Sequence, residues 1–320
     1  MTKQDAINLL TQKDQLQLLS FYDTLTPQQQ ENLLAQIEGI DWSLLDVLKT
    51  HETVNARGTF APLSAMELSQ IDANRAHLEE VGLQAIREGK VAAVLLAGGQ
   101  GTRLGFDKPK GMYNIGVTRE LYIFECLINN VMEIVKKAGA WIPFYIMTSD
   151  KNYDDTTAFL KEKNYFGYNA EYIHFFKQEM APSVDYNGKL LMEAPDRLSL
   201  SPNGNGGWFS SLCRYGYDKQ MKEAGVEWLT AFAVDNVLQR INDPAFVGAV
   251  IDSGCDCGGM VVRKADPNER VGVLCTEDGK PSIAEYYEMT QEMATARKEN
   301  GDLLYGFGVI LNYLFSEKKI

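Results

Sequence analysis

The sequence predicts an α/β fold, with a mostly parallel central sheet under covering helices and a helical segment before it. Two observations carry that class. The run VAAVLLA (Val91–Ala97) is apolar without interruption and bounded by glycine, the pattern of a strand buried on both faces. From Lys90 onward, apolar runs of strand length alternate with stretches of helical periodicity, the grammar of helical crossovers between parallel strands. In such sheets ligands bind beyond the carboxyl ends of the strands.

The elements follow in order. From about Thr2 to Lys49 the leucine spacing is helical, and Thr26-Pro27 supplies a cap and first helical position before Leu33, Leu34 and Ile37. Residues His51 to Ala65 carry Gly and Pro and little periodicity, as a linker or strap does. We therefore divide the chain into a helical segment and linker, 1–65, and a main domain, 66–320. Within the latter, Phe124, Leu127, Ile128, Val131 and Val135 mark a helix that Gly139 closes. IPFYIMTS and EYIHFF read as strands around a short helix, YDDTTAFLKEKN. Trp208 to Glu223 reads as one helix, VEWLTAFAVDN as a strand and DPAFVGAVIDSG as a helix. GGMVVRKA, VGVLC and SIAEYYEM supply later strands.

Composition narrows the function. Of 320 residues, 45% are hydrophobic and 23% charged, the balance of a soluble globular protein, and no apolar run is long enough to span a membrane. The N-terminus lacks the features of a secretory signal, so a cytoplasmic location is expected. Lys and Arg number 31 against 43 Asp and Glu, a net charge of −12 that disfavours nucleic acid as a partner. Five scattered cysteines form no disulfide framework, and the closest pair, in GCDCGG, is too tightly spaced for a zinc site. Three histidines and no GxSxG leave little for a serine-hydrolase triad; His174, among apolar neighbours, reads as a strand residue. Oligomeric state is not specified.

One loop stands against the acidic background. LLAGGQGTRLGFDKPKGM (Leu95–Met112) places Gly98, Gly99, Gly101 and Gly105 with Arg103 and Lys110 just past the first buried strand. It fits neither the P-loop nor GxGxxG. Its physical content survives both failures. Glycines let backbone N–H groups approach phosphate oxygens, Arg103 supplies a fork of donors and Lys110 a compact charge. Asp235, in VDN at the end of an apolar strand, is a carboxylate suited to Mg²⁺ between phosphates, or an ordinary helix cap.

LAGGQGTRLGFDKPKGMYNIG resembles the signature of the UDP-sugar pyrophosphorylases, and most closely the UDP-N-acetylhexosamine pyrophosphorylases. YIMTSD, YFGY, FFKQEM, PNGNGG, VDN, DCGGMVV and AEYYEM follow in that family's order, and LLSFYDTL is similar to its preceding segment. The resemblance covers nearly the whole chain. It implies a Rossmann-like nucleotidyltransferase fold and transfer of uridylate from UTP to a sugar 1-phosphate, most closely N-acetylglucosamine 1-phosphate, releasing pyrophosphate. It implies that Leu96, Ala97, Gly98 and Gly99 line the uridine, that Gln178 reads the uracil and that Gly204 lies near the nucleotide. Arg103 and Lys110 would be catalytic, stabilising charge on the phosphates, and Asp235 would hold Mg²⁺. Asn205, Gly272, Glu285 and Tyr286 would contact the sugar.

Two departures qualify the resemblance. GFGVILNY stands where the family has NAGNIANH, so Val309 replaces a sugar-contacting asparagine and keeps glucose or galactose 1-phosphate open as substrate. Family members also continue past the point matching Ile320, with a further phosphate-binding lysine, so a C-terminally truncated chain is expected. A nucleotide-sugar-binding protein without turnover is the alternative from another class.

Overall fold

The computed structural model describes residues 1–43, 45 and 57–320. The end of the N-terminal helical reading, to Lys49, and the first part of the linker, with His51, lie outside the described residues.

In chain order the strands are β1 (Phe60–Pro62), β2 (Val91–Leu96), β3 (Phe144–Thr148), β4 (Ile173–Lys177), β5 (Met180–Pro182), β6 (Met192–Ala194), β7 (Arg197–Leu198), β8 (Leu200–Pro202), β9 (Trp228–Ala233), β10 (Cys257–Arg263), β11 (Val273–Glu277), β12 (Lys280–Ala284) and β13 (Phe307–Ser316). By Cα proximity the described chain separates into two compact units, one of Met1–Ala56 with Glu179–Gly204, the other of Arg57–Gln178 with Asn205–Ile320.

The larger unit is α/β and holds one nine-stranded sheet in the order β1-β11-β13-β9-β2-β3-β4, with β10 on β13 and β12 on β11. β9, β2, β3 and β4 are parallel. β13 joins β9 antiparallel, and the pairs beyond it are antiparallel too. β2 shows why its sequence is apolar throughout. Val91, Ala93 and Leu95 enter a core formed with the helices Leu68–Arg87, Ile123–Ala138, Tyr153–Glu162 and Pro244–Asp252. Ala92, Val94 and Leu96 enter a second core with Trp208, Leu212 and Met221. Alternate side chains point to opposite faces, and helices cover both.

From β2 the chain steps to β3 and β4 on one side, and β9 then pairs on the other side of β2. The gap between the carboxyl ends of β2 and β9 is therefore the topological switch point of the parallel strands.

The smaller unit packs the helices Lys3–Gln12 and Pro27–Glu38 around Ala6, Leu10, Leu33 and Ile37, with Leu190 and Leu198 in the same core. Both helices begin with a capping box, from Thr2 and Thr26.

Three sequence expectations change. Trp208 to Glu223 is two helices, Trp208–Arg214 and Tyr217–Glu223, because Gly216 between them takes a left-handed φ of 74°. The described end of the linker contributes the edge strand β1, paired with β11. SIAEYYEM is strand only to Ala284, with a turn from Tyr286 onward.

Candidate active site

The glycine loop leaves β2 at the switch point and folds back on itself. Gly101 N–H donates to Lys108 O (2.9 Å) and Lys110 N–H to Gly99 O (3.2 Å), so the segment from Gly99 to Lys110 closes as a narrow turn. Gly101 is required for that closure: a Cβ there would lie 2.8 Å from the Phe106 ring and 2.9 Å from Phe106 O. Two short 3₁₀ turns, Thr102–Leu104 and Lys110–Met112, place Arg103 and Lys110.

Lys110 reaches across the switch point. Its Nζ pairs with Asp235 Oδ1, joining the loop after β2 to the segment after β9. Lys110 is largely covered, whereas the Asp235 side chain is 60% exposed and open to a further ligand. Asp235 follows Val234, whose N–H donates to Leu96 O (3.2 Å), and the amide of Gln239 donates to Ala233 O (2.8 Å) from a buried position. The end of β9 is thus held from both sides.

Gln178 approaches from the far side of the loop. Its backbone N–H donates to Thr148 O (2.7 Å), extending the pairing of β4 with β3. Its side chain lies against Gly98, where a Cβ would sit 2.6 Å from Nε2. Gln178 is buried, and among the described residues its side-chain amide makes no hydrogen bond.

Leu96 and Ala97 fall in the core instead of at the surface of the loop. They are 4% and 2% exposed, and their carbonyls are taken by Val234 N–H and by the Asn152 amide. Of the segment Leu96–Gly99, Gly98 and Gly99 are the residues left open.

A second group gathers on the antiparallel side. A Cβ on Gly272 would lie 3.2 Å from Glu285 Oε1, and Val309 N–H donates to Gly272 O (2.9 Å). β13 runs opposite to β9 with Asn312 level with Phe232, so residues before Asn312 extend toward the carboxyl end of β9, the end that carries Asp235. Glu285 also faces Tyr313, whose hydroxyl burial pushes up, with Cys257 and the Glu285 carboxylate adding to the shift.

The remaining expected residues join neither group. Arg103 is exposed and, among the described residues, in no ion pair, so no contact brings it to Lys110 or Asp235. Tyr286 is exposed and meets Tyr287 edge-on at 5.2 Å. Asn205 opens an exposed 3₁₀ turn in the larger unit. Gly204, in the smaller unit, has φ of 79°.

Sequence reasoning missed two buried amides, Asn152 and Gln239, which hold the ends of β2 and β9. Their signal was weak, since each lies in a polar stretch beside a motif. His174 stacks on Tyr145 at 4.9 Å, and burial lowers its pKa. All five cysteines are free. Among the described residues no cluster of three or more His, Cys, Asp or Glu could hold a metal ion.

A model of the UTP–glucose-1-phosphate uridylyltransferase family matches residues 31–303. UDP-N-acetylhexosamine pyrophosphorylase-like protein 1 of Mus musculus is 34% identical, over 98% of this chain and 66% of that protein. UDP-N-acetylglucosamine pyrophosphorylase of Saccharomyces cerevisiae is also 34% identical, over 97% of this chain and 69% of that protein. The crystal structure of the uridine diphosphate N-acetylglucosamine pyrophosphorylase of Trypanosoma brucei superposes with a TM-score of 0.86 at 28% identity, covering 99% of this chain and 67% of that one. The chain spans 66% of the mouse relative and 49% of the human one. The match takes in the glycine loop, Asp235 and Glu285 together, and the chain belongs to the UTP–glucose-1-phosphate uridylyltransferase family.

Proposed function

We propose that this chain transfers uridylate from UTP to a sugar 1-phosphate, releasing UDP-sugar and pyrophosphate. The observation that carries the reading is the Lys110–Asp235 pair at the switch point, one cation and one open carboxylate beside glycines free to approach a phosphate. A sugar 1-phosphate is already an anionic nucleophile, so attack on the α-phosphorus needs alignment and charge stabilisation rather than a base. In this reading Lys110 stabilises charge on the transferring group, Arg103 stabilises the leaving pyrophosphate, and the Gln178 amide meets the mixed donor–acceptor edge of uracil.

Mg²⁺ fits this donor set. A lone, open carboxylate makes no metal cage, but Mg²⁺ commonly takes one or two carboxylates and fills its shell with phosphate oxygens and water. Asp235 would hold it, exchanging Lys110 for the ion, and the ion would neutralise phosphate charge. Gly272, Glu285 and Tyr286 with Asn205 would meet the sugar.

The name of the yeast relative supports N-acetylglucosamine 1-phosphate as the sugar substrate, and that of the mouse relative an N-acetylhexosamine 1-phosphate. Val309, apolar beside Gly272, favours glucose or galactose 1-phosphate as the second reading. Five free thiols are consistent with a cytoplasmic setting. Among the described residues no helix is long and apolar enough to cross a membrane. The test is pyrophosphate release from UTP and Mg²⁺ with each of the three sugar phosphates. Release fastest with the N-acetylated sugar is expected; no release with any of them overturns the assignment.

A further inference from the structure

We infer that Asn152 is a positioning residue whose buried amide fixes two peptide planes of the glycine loop, turning the N–H groups of Gly98 and Gln100 toward the nucleotide's phosphates. The identity of the ligand rests on the uridylyltransferase reading; the loop geometry does not.

Asn152 precedes the helix Tyr153–Glu162 yet makes no side-chain cap there, and it is fully buried. Its Oδ1 accepts from Ser149 N–H at 2.7 Å. Its Nδ2 donates to Ala97 O at 3.0 Å and lies 3.5 Å from Gly99 O. Ser149 follows β3, and Ala97 and Gly99 follow β2. One side chain therefore ties the carboxyl ends of two neighbouring strands.

Peptide planarity gives the consequence. Across a trans peptide the C=O and the next N–H point to opposite sides, and the described chain has no cis bond. Drawing Ala97 O and Gly99 O toward Asn152 turns the N–H groups of Gly98 and Gln100 the other way. Among the described residues, neither these nor the N–H of Gly99 donates to a protein acceptor, although Ala97 N–H donates to Met147 O (2.9 Å) and Gly101 N–H to Lys108 O (2.9 Å). Consecutive unspent N–H groups in a turn suit an oxyanion. Lys110 brings a positive charge to the same turn, its Nζ lying 4.0 Å from where a Gly99 Cβ would stand.

The test is Asn152→Asp, which keeps the shape and the acceptor for Ser149 N–H. Ionised, its second oxygen confronts carbonyl oxygens; protonated, it regains a donor. Burial among acceptors raises a carboxyl pKa, so acid restores the contact. In pyrophosphate-release assays, each value taken relative to wild type at the same pH, the substitution is expected to raise KM for UTP about tenfold or more near pH ~8. Most of that loss is recovered near pH ~6, with KM for the sugar phosphate within about twofold. A fall in Tm or kcat with KM for UTP unchanged at both pH values overturns the inference. Should Asn152→Asp fail to fold, Asn152→Ala is read instead: a selective rise in KM for UTP supports the inference, and an equal rise for both substrates overturns it. If wild type releases no pyrophosphate, the activity reading falls by itself. Calorimetric titration with UTP then decides, a pH-reversible rise in Kd supporting the role of Asn152 and an unchanged Kd, or no binding by wild type, overturning it.

Discussion

Lys110 and Asp235 form an ion pair that links the loop leaving β2 to the segment leaving β9. Neither group sits deep enough for the pair to anchor the fold. Ion pairs with an exposed partner contribute about 1 kcal/mol at most. A preorganised charge at a transferring phosphoryl group contributes far more, about 10²–10³ in rate. Lys110→Ala is therefore expected to lower kcat for pyrophosphate release by about that factor while leaving the thermal midpoint within a few degrees of wild type. A large loss of Tm would make Lys110 structural.

The contact between Gly98 and Gln178 makes a second prediction. An alanine at 98 would set its Cβ 2.6 Å from Gln178 Nε2, and the glutamine amide is the flexible partner that must yield. Gly98→Ala should thus fold normally and lose nucleotide affinity, with KM for UTP up about tenfold and KM for the sugar phosphate little changed. Gln178→Ala should do the same through loss of the amide. Equal effects on both substrates would separate these residues from the nucleotide.

Much of this site was legible because the sequence and the packing obey the same periodicity. VAAVLLA is apolar at every position because both faces of β2 are covered, and that alone located the loop. What escaped depends on contacts distant in sequence. Asn152 before a helix reads as a cap, yet its amide turns back to Ala97, 55 residues earlier. The antiparallel half of the sheet rests on β13 finding β9, β10 and β11, a choice that strand propensity does not encode. Arg103 matched the motif, but its exposed 3₁₀ turn makes no contact that joins it to Lys110.

The helix that follows the Asp235 segment, Pro244–Asp252, approaches Leu68–Arg87 most closely at two glycines, Gly82 and Gly248. A Cβ on Gly248 would overlap Leu78 O, and one on Gly82 would overlap Pro244 O. In both cases the obstacle is backbone, so no rotamer change relieves it. Gly248→Ala is expected to cost about 3 kcal/mol or more in denaturant unfolding, the upper range for overpacking. Gly254→Ala on the same chain segment has open space but a φ of 66°, so it should cost only about 1 kcal/mol. Comparable losses for the two would mean that helix contact is not the cause.

His174 sets a pH dependence of stability. It is half-buried on β4, stacked on Tyr145 and 5.4 Å from the Tyr217 ring, with no charged group among the causes of its shift. Burial disfavours the imidazolium, so the folded-state pKa lies below the ordinary 6.5. As pH falls through 6.5 the unfolded chain takes up a proton that the folded chain refuses, and stability drops until the folded pKa is passed. Above 6.5 both states hold a neutral ring, and this contribution is flat. His174→Phe keeps an aromatic ring in the stack and removes the proton. Thermal melts from about pH 8 to about pH 5 should show wild type losing stability on acidification more steeply than His174→Phe, the curves separating only on the acid side. Parallel curves would mean that the ring is as easily protonated folded as unfolded, and the stack would then be no barrier to charge.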